Sequence, residues 1–163
     1  MNINKMLGFV VGAVFCLLSV TSYAKNVDNM ALTGLKGTQN TTFKRLEGNY
    51  VYVDFWASWC GPCKKSFPFM VELQNTFKND NFKIVAISVD EEKSDAIEFL
   101  NNNVTNFDLY LDVDGVIANQ FQLPGMPTSY LIDPNGKIIS KHVGFHKESK
   151  QTILAELNSI FTK

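Results

Sequence analysis

The chain has 163 residues, 45% of them hydrophobic, with 15 basic side chains against 16 acidic ones and a formal net charge of −1. That length and apolar content suit one domain with an ordinary core. The near-neutral balance argues against nucleic acid or an anionic membrane surface as a partner.

The first 24 residues differ in kind from the rest. Lys5 supplies a positive start, residues 6–20 form a nearly uncharged apolar run, and Ser22 and Ala24 place small residues at −3 and −1 of a cleavage site. This pattern predicts a signal peptide over 1–24 and a mature domain over 25–163. An uncleaved membrane anchor is the alternative, although the apolar run is shorter than the ~20 residues a span needs. Cys16 follows Phe15, where a lipoprotein processing site wants a small residue, so cleavage after Ala24 leaves two cysteines, Cys60 and Cys63.

From residue 31 to 46, β-prone residues broken by Gly34, Gly37 and Asn40 predict short strands joined by turns. Gly48-Asn49 turns the chain into a strand over 50–55, and a helix is expected from Cys60 to about Phe77, bent at Pro68. The run FKIVAISVD at 82–90 reads as a parallel strand covered on both faces. Ser94 is placed as the cap of a helix over 95–102, followed by a brief strand at 108–111 and a helix from Asp114 through Phe121. A turn at 123–127 leads to a strand over 128–132, and Asp133-Pro134-Asn135-Gly136 predicts a hairpin to a strand over 137–143, with Asn-Gly taking the positive φ angles of a tight turn. Apolar residues at helical spacing over 147–161 predict a closing helix. Strands alternating with helices, finished by a hairpin and a helix, give an α/β fold with a central mixed sheet.

The chemistry gathers at the junction of the strand over 50–55 with the following helix. The first N–H groups of a helix lack intrahelical partners and the positive end of its dipole favours an anion, so a thiolate on Cys60 is stabilised. The i, i+3 spacing sets Cys63 beside it, and in such pairs the nucleophile's pKa falls from ~8.5 to roughly 7 or below. Two cysteines closing so short a loop restrain little of the unfolded chain, which favours thiol-disulfide exchange over a structural staple.

The stretch VDFWASWCGPCK resembles the active-site strand and helix start of thioredoxins almost residue for residue, and GMPTSYLID is similar to the segment that carries their cis-proline. With the leader and the long stretch from Val89 to Asp114, the chain most resembles the TlpA/ResA-like extracytoplasmic branch of that superfamily. The resemblance covers nearly the whole mature chain. It implies a thioredoxin-like fold with an N-terminal β-hairpin and a central βα insertion, and needs no cofactor. It also implies that Cys60 attacks a client disulfide and that Cys63 resolves the mixed disulfide. Asp54, six residues before Cys60, matches a buried carboxylate that serves as general base for Cys63, although the alternation of Val53 and Phe55 leaves its direction open. Pro127, after Met126, matches the cis-proline. With Trp59, Gly61, Pro62 and Gly144 these residues are expected to line the client groove, while Trp59 also suits ordinary packing. Many TlpA/ResA-like proteins carry a glutamate three residues after the second cysteine; here that residue is Ser66, so proton handling is expected to be thioredoxin-like.

The implied role is a periplasmic reductase of protein disulfides, recharged by a membrane electron donor, with apocytochrome c a plausible client. Two rivals stand beside it: a thiol peroxidase of the redoxin group, and a thiol-independent chaperone or assembly module. Other motifs fail. Lys64 follows Cys63 where haem attachment needs histidine, and His142 and His146 read as solvated side chains without a metal. Asp112-Val113-Asp114-Gly115 reads as a turn and helix cap, since Tyr110 and Phe121 stand where a calcium loop needs acids.

Overall fold

The computed structural model describes residues 29–162, so the leader expected over 1–24 lies outside the described residues. Its strands are β1 (Ala31–Gly34), β2 (Thr41–Thr42), β3 (Tyr50–Trp56), β4 (Phe82–Ser88), β5 (Asp108–Leu111), β6 (Thr128–Ile132) and β7 (Ile138–Val143). Its α-helices are α1 (Cys63–Thr76), α2 (Lys93–Asn101), α3 (Val116–Gln120) and α4 (Lys147–Phe161), with a 3-10 turn at Phe43–Leu46. The strands form one sheet in the order β2-β1-β5-β4-β3-β6-β7. β4 runs parallel to β3 and to β5, whereas β6 and β7 return antiparallel on the other side of β3. The N-terminal hairpin β1–β2 docks antiparallel on β5, and α2 with β5 forms the central insertion. This is the thioredoxin-like α/β architecture that the motif implied.

β3 lies between β4 and β6, and from Val51 to Trp56 every residue is buried. Because side chains alternate along a strand, Val51, Val53 and Phe55 point to one face and Tyr52, Asp54 and Trp56 to the other. The first set packs with Val85, Ile87, Phe121 and Tyr130; the Phe55 ring lies 5.2 Å from Phe121 and 5.9 Å from Tyr130. The second face is covered by α1, α2 and α4, where Trp56 meets Phe67 of α1 edge-on at 5.0 Å and Phe99 of α2 at 4.8 Å. Each such side chain contributes about 1.5–3 kcal/mol by leaving water. Among the described residues no helix is long and apolar enough to cross a membrane.

Several boundaries differ from the sequence reading by one to three residues, and the differences with a local cause lie at three helix starts and one turn. α1 opens at Cys63, three residues late, because residues 60–62 form a turn in which the Cys63 amide donates to the Cys60 carbonyl at 3.1 Å. α2 opens at Lys93, and its N-cap is Glu92, where the backbone is extended; Ser94 lies inside the first turn and caps nothing. α3 starts at Val116, since Gly115 at φ 64° is left-handed; the cap is the Asp112 carboxylate, which accepts from the Ile117 and Ala118 amides at 3.1 and 2.8 Å. In the β6–β7 turn only Gly136 has positive φ, at 80°. The Asp133 carboxylate accepts from the Asn135 and Lys137 amides, both at 2.9 Å, and that side-chain turn replaces the expected Asn-Gly geometry.

Candidate active site

Cys60 and Cys63 are joined as a disulfide, with an S–S distance of 1.99 Å and Cα atoms 5.3 Å apart. The Cys63 sulfur is fully buried and Cys60 keeps 5% of its surface, so a client can reach the pair only through Cys60. The Cys63 amide donates to the Cys60 sulfur at 3.3 Å, an interaction that strengthens when that sulfur is a thiolate. The first turn of α1 carries no acidic residue but does carry Lys64 and Lys65. Cations there oppose the helix dipole but add to the positive potential that favours a Cys60 anion. Ser66, in the place of the family's glutamate, is buried and donates to the Cys63 carbonyl at 2.9 Å.

The turn that presents Cys60 is tied down from β4. The Asp90 carboxylate, 2% exposed, accepts from the Ser58 amide at 3.0 and 3.1 Å, from the Ser58 hydroxyl at 2.8 Å and from the Ser88 hydroxyl at 2.7 Å. Sequence reasoning missed Asp90: it adjoins Glu91 and Glu92, and nothing local marks which of the three acids turns inward. Trp59 stands beside the disulfide and is 71% exposed, so it is not a packing residue; the buried tryptophan is Trp56.

The Met126–Pro127 peptide is cis. Met126 packs on the cluster that holds both cysteines, and the Gly144 amide donates to the Pro127 carbonyl at 2.8 Å, which brings the end of β7 to the same spot. Gly61 and Pro62 form the exposed crown of the Cys60 turn.

Asp54 points to the α1 face, with Tyr52 and Trp56. It is 2% exposed, and its Oδ2 finds no hydrogen-bond partner; Trp56 Nε1 is likewise unpaired. Burial holds the Asp54 carboxyl well above the usual carboxylate range. Tyr52 is pushed upward first by its own burial and then by the Asp54 charge, with the Ser129 hydroxyl working the other way and Glu156 adding to the rise. In register, Asp54 lies opposite Ala86 of β4 and Ser129 of β6, and Ser129 lies opposite His142 of β7. His142 is not a solvated side chain as expected: its Nε2 pairs with Glu156 of α4 at 2.9 Å and its side chain is 15% exposed. His146 caps α4 by accepting from the Ser149 amide at 3.2 Å.

A disulfide with one sulfur sealed and the other nearly so precedes a helix, beside a cis-proline and over a mixed sheet, and comparison with known proteins gives that arrangement a context. Residues 24–141 match the AhpC/TSA family. The chain belongs to that family, in the ResA/TlpA-like branch of the thioredoxin superfamily. Thiol-disulfide oxidoreductase ResA of Bacillus subtilis is 33% identical over 144 residues, 88% of this chain and 80% of the relative. A Chlorobium tepidum structure assigned to the DsbE thiol:disulfide interchange proteins superposes with a TM-score of 0.78 at 37% identity, covering 82% of this chain and 94% of that one. A Bacteroides thetaiotaomicron structure assigned as a protein disulfide isomerase gives a TM-score of 0.73 at 26% identity, covering 82% and 86%. This ResA-like protein is accordingly a thiol-disulfide oxidoreductase, and Cys60 and Cys63 are its disulfide-forming pair.

Proposed function

We propose that this oxidoreductase reduces protein disulfides outside the cytoplasm through Cys60 and Cys63, with Asp54 as the proton acceptor. The observation that carries the reading is the asymmetry of the pair: Cys60, in the turn before α1, keeps 5% of its surface, whereas Cys63 keeps none and lies on the sheet face that holds a buried carboxyl with one unpartnered oxygen. In the reduced protein the Cys60 thiolate attacks a client disulfide, forming a mixed disulfide and releasing one client thiolate, which takes a proton from water. Cys63 then gives its proton to Asp54, and its sulfur attacks Cys60. The Cys60–client bond breaks and the second client thiolate leaves. The client gains two electrons and the protein closes its own disulfide. Trp59, Gly61, Pro62, Met126, Pro127 and Gly144 provide the surface on which an extended client strand is held.

The Gly-Pro pair between the cysteines supports a reductant, since thioredoxin, with the same pair, sits near about −270 mV. A reductant in an oxidising compartment must be recharged, so a membrane electron donor is part of the proposal, as are export by the leader over 1–24, the mature domain over 25–163 and apocytochrome c as a client. The test is the reduction potential of the mature protein, by equilibration in glutathione or dithiothreitol buffers with thiol counting. A value near or below about −230 mV supports the reductase; one near about −120 mV makes it an oxidase or isomerase. Peroxide consumption that survives loss of Cys63 would instead favour the redoxin-type peroxidase. Function retained by a Cys60→Ser, Cys63→Ser double variant would favour a chaperone.

A further inference from the structure

Asp54 must take up and lose a proton in every turnover, yet it is 2% exposed. The elements around it offer few ways out. β4 presents Ala86 directly opposite, β3 presents Tyr52 and Trp56 on either side, and α1 brings Cys63 to the same face. The polar direction is across β6 and β7, where Asp54, Ser129 and His142 are successive in-register partners on three adjacent antiparallel strands. Directly opposed residues project to one face with Cβ atoms about 4.5–5.5 Å apart, so the three side chains form a row. At its outer end the His142 Nε2 is held by Glu156 at 2.9 Å, with the Ser140 hydroxyl at 3.5 Å, and the Glu156 side chain is 26% exposed. We propose that Ser129, His142 and Glu156 are a proton path between Asp54 and solvent, which resets the general base after Cys63 has attacked. Tyr52, on the same face as Asp54, is held above its ordinary range mainly by its own burial, feels the Asp54 charge and that of Glu156, and shares a side-chain hydrogen bond with Ser129.

The proposal rests on Asp54 as the proton acceptor. In it the proton from Cys63 passes from the Asp54 carboxyl through the Ser129 hydroxyl to His142 Nδ1, the ring nitrogen that Glu156 leaves free, while the Nε2 proton passes to Glu156 and water. No electrons move. Glutamine in place of His142 or Glu156 keeps a hydrogen-bonding side chain of similar size, so these variants are expected to fold.

The experiment uses the reduced protein in single turnovers with oxidised insulin, quenched in acid, following closure of the Cys60–Cys63 bond against pH and buffer concentration. His142→Gln is expected to slow closure about tenfold in dilute buffer, a modest share of what positioned proton transfer supplies, and added imidazole is expected to restore it. Glu156→Gln should act in the same sense, and carries the test should His142→Gln not fold. A structural tie between β7 and α4 would not respond to imidazole; slow closure that imidazole leaves unchanged, or wild-type closure at every pH and buffer concentration, overturns the path. Asp54→Asn separates the two ideas. If it closes at the wild-type rate, the general-base reading fails and takes the path with it; if it is slow while His142→Gln and Glu156→Gln are normal, the path alone fails.

Discussion

The two faces of the central sheet are built to different rules although the same strands make both. On the face under α3 and the 3-10 turn, β3, β4 and β6 place Val51, Val53, Phe55, Val85, Ile87 and Tyr130, and the Tyr130 hydroxyl is satisfied by the Phe121 carbonyl at 2.8 Å. On the face under α1, α2 and α4, β3 places Asp54 and Trp56 with an unpaired polar atom each, and Trp56 shares its cluster with both cysteines. Buried polar groups without partners cost about 1–3 kcal/mol each. Among the described residues that cost falls on the face that carries the disulfide, so the expected division is a working face there and a supporting face opposite.

The strongest way to test this division is at the sulfurs. Cys60→Ser is expected to drop disulfide exchange to the uncatalysed background, while Cys63→Ser still attacks and accumulates mixed disulfides visible on non-reducing gels. Equal loss without trapped adducts would remove the distinction between attacking and resolving thiols. Next comes the supporting face. Phe55→Ala, at a fully buried ring, should cost about 3–5 kcal/mol in urea unfolding, yet leave the dithiol potential within about 30 mV. A large shift in potential would show that the two faces are not separable.

Asp54→Asn probes the working face in the opposite direction. Because the folded protein holds this carboxyl protonated well above the unfolded value of 3.8, the stability contributed by the neutral form is complete below that pH. It is lost as pH rises through the raised folded value. Asparagine cannot ionise, so the variant is expected to match wild type in acid and to gain about 1–3 kcal/mol toward neutral pH and above, while resolution by Cys63 slows. Parallel unfolding curves at acid and neutral pH decide it. The smallest stability effect belongs to Trp59→Ala: an indole 71% exposed should change unfolding by no more than about 0.5 kcal/mol, while KM for protein disulfides rises. A stability loss of core size would make Trp59 a packing residue.

Much of this was legible in local spacing. Cys60 and Cys63, the helix after them, the strand before them and the Asp133–Gly136 turn all follow from residues within a few positions of one another. Legibility ended where partners come from afar. Asp90 holds the Ser58 amide across 32 positions, whereas the cap read at Asp112–Gly115 was legible because its partners lie five and six residues on. His142 looked solitary because Glu156 and Ser129 reach it only through the packing of α4 and the register of β6 and β7.

By itself the sequence determined the reactive pair and its thiolate-favouring position, because a helix start and an i, i+3 spacing are local geometry with electrostatic consequences of their own. Tertiary structure alone decided the side to which Asp54 points. A central strand buried on both faces carries apolar residues at every other position, so Val53 and Phe55 tell no more than Tyr52 and Trp56. Only the packing of α1, α2 and α4 against one face, and the pairing of β3 with β6 and of β6 with β7, set the carboxylate on the face that carries Cys63 and in register with Ser129 and His142.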